Sequence, residues 1–169
     1  MRRAFTLIEI LVVVAIIGVL AALAIPLISV TKGRADAANC LNRLRVLGVS
    51  LNLYVSEHEM KLPLLKAARS SRSEEEPVID NTINQYVDNT EVFRCPADSH
   101  IAEESGTSYY WNSALSGQPL ASLNFLGLPE LSKIPVLMDK EGWHKYSQHK
   151  VNYLFADGHA TQELRLFTE

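Results

Sequence analysis

Glu9 is the first residue whose type and place call for chemistry: a carboxylate between Ile8 and Ile10 in an apolar run. An acid at the centre of a membrane helix costs about 2.5–3.5 kcal/mol on insertion scales. Near the helix end the cost falls, because the side chain can snorkel to the interface. Glu9 therefore either reaches water or meets a cation. Cys40 and Cys95 are the only cysteines. They can form a disulfide where the compartment is oxidising, or stay two separate buried thiols. Asp98, Asp139 and Asp157 stand in loops or at strand ends. Calcium wants six to eight oxygens, and no EF-hand spacing supplies them, so turn capping is the preferred reading. These three remain the candidates if a metal is held. His144, His149 and His159 gather near the C-terminus. Zinc needs three or four ligands at recognisable spacing, and no helix aligns His144 with His149, so these read as surface histidines. Ser147, His149 and Asp157 can be written as a hydrolase triad, but no Gly-x-Ser-x-Gly elbow accompanies them. The expectation is a protein that is not an enzyme. Tyr109, Tyr110 and Trp111 are read as core aromatics rather than as a binding platform.

The elements that carry these residues follow from patterning. The chain has 169 residues, 47% of them apolar, and a net charge of -3. From Ile10 to Ile28 every residue except Pro26 is apolar or glycine. That block is long enough to cross a bilayer as a helix. It is too long for a signal-peptide core, and no polar cleavage region follows it. Arg2 and Arg3 precede it, which places the N-terminus in the cytoplasm by the positive-inside rule. The remainder, residues 31–169, carries 14 basic and 18 acidic residues. Such an acidic head lacks the electrostatic footprint of a nucleic-acid binder. Ala37, Leu41, Leu44, Gly48, Leu51 and Val55 recur at helical spacing, with Cys40, Leu47 and Tyr54 on an adjacent stripe. The pattern predicts one helix of roughly 50 residues from the membrane to about Met60, where Leu62-Pro63 stops it. No strict heptad persists, which argues against a long coiled coil. Residues 66–76 read as a polar loop. Pro77 opens a short helix with Ile79 and Ile83 on its apolar face. Residues 109–112 and 134–139 read as strands. Asp157-Gly158 between alternating runs predicts a hairpin, with a return strand over residues 159–167. There is no internal repeat.

The opening segment, a basic leader followed by Ala4 and then Phe5-Thr6-Leu7-Ile8-Glu9, resembles the processing site of type IV prepilins and type II secretion pseudopilins. The family usually has Gly where this chain has Ala4. The head is similar to a pseudopilin subgroup with a C-terminal His-x9-Asp-Gly signature. The similarity is carried by Cys40–Gly48, Phe93-Arg-Cys-Pro-Ala-Asp98 and Asn152–His159. The spacing departs, because only seven residues separate His149 from Asp157.

The resemblance implies an α+β, pilin-like fold: one long N-terminal helix packed on a small antiparallel sheet. It implies a leader of residues 1–4, a membrane or filament-core helix over 5–30, an amphipathic half over 31–60 and a periplasmic head over 61–169. It implies cleavage between Ala4 and Phe5, N-methylation at Phe5, and Glu9 facing the charged N-terminus of a neighbouring subunit. Gly18 and Pro26 would bound a stretch that bends or loosens on assembly. No cofactor is expected beyond the calcium that major pseudopilins often hold in a head loop. The implied partners are the prepilin peptidase and N-methyltransferase, further copies and other pseudopilins, membrane lipid, and an inner-membrane platform protein worked by a cytoplasmic ATPase. With the head outside the cytoplasm, a Cys40–Cys95 disulfide is chemically permitted. It would staple the helix to the Cys95-Pro96 loop, for about 4 kcal/mol by chain-entropy arithmetic. The small head, without a cysteine pair bracketing the C-terminal region, favours a secretion pseudopilus over an adhesive pilus. A type IV pilin or minor pilin is the alternative, and a membrane-anchored periplasmic binding domain that never polymerises is the further one.

Overall fold

The computed structural model describes residues 6–164. Helix α1 runs from Leu7 to Glu57, 51 residues, or about 76 Å at 1.5 Å per residue. Thr6 caps its start and Glu9 closes a capping box. The helix continues through Pro26 without a break. Beyond the proline, Ser29 Oγ donates to the Pro26 carbonyl at 2.8 Å and Thr31 Oγ1 to the Leu27 carbonyl at 2.9 Å. The helix ends slightly before the expected Met60, because Glu59 and Met60 turn into the left-handed region with φ of 53° and 56°. The Met60 N–H then closes the end on the Val55 carbonyl at 3.0 Å.

Residues 79–93 cover one side of the helix with α2 (Ile79–Thr82) and two single 3₁₀ turns. A short helix α3 (Ile101–Ser105) precedes the sheet. Four antiparallel strands follow in sequential order: β1 (Tyr109–Trp111), β2 (Pro135–Asp139), β3 (Tyr153–Phe155) and β4 (Ala160–Thr161). Tyr109 pairs with Asp139 and Trp111 with Leu137. On the other edge of β2, Leu137 pairs with Leu154. The expected hairpin is present. Gly158 takes a φ of 90° at the turn, and Leu154 faces Ala160 across it. The return strand is shorter than expected within the described residues, and residues 165–167 of the expected strand lie outside them. The result is an α+β, pilin-like architecture.

Burial divides α1 in two. Its first half is exposed on every side. From Ala37 onward one face is buried, with Cys40, Leu44 and Leu47 wholly so. That face meets Leu137 and Leu154 of the sheet and Ile79 and Ile83 of the cover. Gly48 lets the hairpin approach: a Cβ there would lie 2.9 Å from Leu154 Cδ1 and 3.3 Å from the Gly158 carbonyl oxygen. Residues 66–76 are irregular but anchored. Lys66 N–H donates to the Pro77 carbonyl and Arg72 N–H to Glu104, both at 2.8 Å, while Arg69 pairs with Asp80.

Candidate functional site

Four chemistry-bearing side chains meet in the core of the head. Cys40 is on the buried face of α1, Cys95 in the loop after the second 3₁₀ turn, and Asp139 at the end of β2. His144 follows five residues later. One ligand atom from each lies within 4.8 Å of all the others, and all four residues are buried. Both cysteines are free thiols. Cys40 Sγ donates to Asp139 Oδ1 at 3.3 Å, and Tyr109 Oη lies 3.4 Å from the same sulfur. Cys95 Sγ is 3.7 Å from His144 Nε2. His144 Nε2 is 3.0 Å from Asp139 Oδ2, with both side chains fully enclosed. Asn152 holds this pair in place. Its N–H donates to Asp139 Oδ2 at 2.7 Å, and its side-chain amide lies 2.6 Å from His144 Nε2. Gln162 in turn donates to the Asn152 side-chain oxygen at 3.1 Å.

The electrostatics follow from burial and neighbours. Burial pushes the Cys40 thiol up, and the neighbouring Cys95 adds to it. Burial also lifts the Tyr109 phenol, again with Cys40 beside it. For His144, burial works against the imidazolium, but the bond to Asp139 and the nearness of Cys40 outweigh it and raise it to about 9. These four are the residues, among those described, that could together hold a metal.

The other expected site residues are placed differently. Asp98 is buried, but both carboxylate oxygens are spent as a cap. They accept from His100, Ile101 and Ala102 N–H and from the Ser108 hydroxyl. Asp157 is at the hairpin turn, bound to His159 Nδ1 at 2.6 Å. Both therefore behave as turn carboxylates, and of the three expected aspartates only Asp139 faces a cluster. The expectation of three surface histidines is corrected at His144, which is 1% exposed. The polar stretch around it folds back over the end of β2, with His144 N–H donating to the Lys150 carbonyl. His149 is exposed. Asp157 bonds His159 rather than His149, so Ser147, His149 and Asp157 form no relay. Tyr109 and Trp111 are core residues, and Tyr110 is exposed.

At the other end of the molecule, Glu9 Oε2 accepts from the Thr6 N–H and the Thr6 hydroxyl, each at 2.8 Å. Around it the helix offers nothing but exposed apolar side chains, from Leu7 and Ile8 to Leu27 and Ile28. Among the described residues this is the one helix long and apolar enough to cross a membrane. Ala4 and Phe5 lie outside the described residues. Residues 1–25 match the family model of the prokaryotic N-terminal methylation motif. The match supports a type IV prepilin-like protein. No curated protein and no solved structure gives a significant match. The motif belongs to pilin-type structural subunits, not to an enzyme family. It implies processing by prepilin peptidase and assembly with other pilin-like subunits. Together with the long apolar helix it fits a membrane-anchored, pilin-like protein.

Sequence reasoning missed the four-residue cluster. Its members stand at positions 40, 95, 139 and 144, and only the last two are close enough in sequence to leave a local signal.

Proposed function

We propose that the chain is a structural subunit of a type II secretion pseudopilus. In this reading the prepilin peptidase cuts between Ala4 and Phe5 and methylates the new amino group of Phe5. Residues 5–30 serve first as the membrane anchor and then as filament core, residues 31–60 carry the head, and residues 61–169 form that head on the periplasmic side. One observation carries the reading: the apolar half of α1 is bare on all sides, while the other half is the spine of a packed head. A helix of that kind is satisfied by lipid or by like helices. Because lipid already satisfies it, leaving the membrane gains little. Assembly therefore needs neighbouring helices and an external source of work, the role of the platform protein and its ATPase. Glu9 is the polar exception. Within one chain it caps its own helix, and in a filament the amino group released at Phe5 gives a neighbour's carboxylate a cationic partner. The small head, without a cysteine pair bracketing its C-terminal region, favours secretion over adhesion.

The test is intact-mass spectrometry of the protein from its native membrane, paired with a Glu9→Ala variant. The expected mass is that of residues 5–169 plus one methyl group. Glu9→Ala is expected to insert normally and to be absent from sheared filaments. An uncut chain in a host with active peptidase, or normal incorporation of Glu9→Ala, would refute the proposal.

A further inference from the structure

We propose that Cys40, Cys95, Asp139 and His144 form a closed structural zinc site in the core of the head. This inference rests on the head alone and stands whether or not the chain polymerises.

The geometry is the first argument. Zinc binds sulfur at about 2.3 Å and nitrogen or oxygen at about 2.0–2.2 Å, tetrahedrally. The edges of such a tetrahedron are about 1.6 times the bond length, so ligand atoms should lie about 3.3–3.8 Å apart. The cluster shows 3.3 Å from Cys40 sulfur to Asp139 oxygen and 3.7 Å from Cys95 sulfur to His144 nitrogen. The Asp139–His144 edge is 3.0 Å. The Cys40 distance is to Asp139 Oδ1 and the His144 distance to Oδ2, and one ligand atom from each residue lies within 4.8 Å of the other three, so about an ångström of side-chain adjustment brings four donors to the corners of a zinc tetrahedron.

The donor set is the second argument. Two thiolates and an imidazole select a borderline-soft ion such as zinc, while calcium demands six or more oxygens. All four side chains are buried, so no position is left for water, as in structural rather than catalytic sites. The placement is the third argument. The ligands come from α1, from the loop that opens onto α3, from β2 and from the following loop. One ion would therefore tie together every layer of the head. Outer contacts are in place as well: Asn152 N–H and the Tyr109 hydroxyl lie against Asp139 and Cys40, the kind of support that orients ligands. The Asn152 side-chain amide, now 2.6 Å from His144 Nε2, is the group that must yield when this nitrogen turns its lone pair to the metal.

The balance is simple. Zinc replaces the thiol protons of Cys40 and Cys95 and binds His144 as the free base, so two protons leave for each ion bound, and a third wherever the imidazolium favoured by Asp139 is present. A site with two thiolates and one carboxylate around a dication keeps one net negative charge. The Tyr109 hydroxyl and Asn152 N–H are placed to stabilise it.

The competing fate of these sulfurs is a disulfide, and the experiment separates the two. The full chain, in detergent, is purified without chelator and its metal is measured by elemental analysis. One zinc per chain and two thiols that react only after denaturation with EDTA are expected. Exchange of the zinc with cobalt chloride should give the visible bands of tetrahedral cobalt with a thiolate charge-transfer band. These should be lost in Cys40→Ser and altered in Asp139→Asn. A mass two hydrogens low without metal would overturn the proposal, because it reports the disulfide. Metal-free chains with two free thiols that take up no cobalt would overturn it too. Because the wild-type measurements decide the matter, failure of a variant to fold does not blur the outcome.

Discussion

Asp98 offers a quantitative test of how the head is held together. Its carboxylate is 3% exposed and accepts four hydrogen bonds. Oδ1 takes the N–H groups of His100 and Ile101 at 3.0 and 2.8 Å. Oδ2 takes the Ala102 N–H at 2.8 Å and the Ser108 hydroxyl at 2.6 Å. The same hydroxyl accepts the Cys95 N–H at 2.8 Å, so Asp98 also fixes the loop that presents Cys95. Hydrogen bonds to a charged group contribute about 1.5–3 kcal/mol each, and bonds sharing one acceptor are not additive. Asp98→Ala removes both oxygens and leaves buried donors unpaired, for an expected loss of about 3–5 kcal/mol. Asp98→Asn keeps the two bonds at Oδ1 but turns an amide against the Ala102 N–H, for about 1–3 kcal/mol. The assay is urea unfolding of the full chain in detergent, read by the fluorescence of Trp111 and Trp143, both packed in the head.

The pH dependence provides a second readout. Burial works to raise the Asp98 carboxyl, but the Ser108 hydroxyl and the Ala102, Ile101 and His100 N–H groups together outweigh it and hold it below its ordinary 3.8. A group depressed in the folded state contributes its stability in full above the unfolded value. That contribution is lost as pH falls through the lower folded value. The wild type should therefore lose stability below pH 3.8, and Asp98→Asn should lose less over the same interval. An Asp98→Ala loss under about 1 kcal/mol, or an undiminished acid loss in Asp98→Asn, would show that this carboxylate does not hold the loop.

Two other substitutions test the packing. Arg69→Met strands the Asp80 carboxylate, since this pair is only 8% and 12% exposed. A loss of about 3–5 kcal/mol is expected by chemical denaturation, most of it regained in the double variant Arg69→Met/Asp80→Leu. Gly48→Val places branched carbons against Leu154 and the Gly158 backbone. It should lower stability by about 1–3 kcal/mol, whereas Gly48→Ala stays near neutral because helix propensity offsets the tight contact.

The elements of this fold are written in local patterns, and so they were legible. The helical spacing of Ala37, Leu44, Gly48, Leu51 and Val55 identified the face that is buried. Asp157-Gly158 marked a hairpin because a left-handed turn wants glycine. Ser50 escaped notice, since its burial depends on a bond to the Tyr86 carbonyl from another segment. His144 escaped for the same kind of reason. Its neighbours Lys145, Ser147 and Gln148 read as a solvated loop, and its enclosure is decided by β2 and α1. Cys40 and Cys95 were legible as a pair, but the presence of Asp139 and His144 beside them is a tertiary fact. In the N-terminal segment the motif is contiguous, and residues 1–25 alone carry the family match.

The uninterrupted course of α1 through Pro26 has a mechanical meaning. In the single chain, head and anchor share one continuous helix. Each residue of an α-helix turns it by about 100° and advances it by 1.5 Å. The direction in which the head looks is therefore fixed by a count of residues between Val30 and Ala37. A single insertion there would leave both ends intact and point the head about a quarter-turn away from its neighbours.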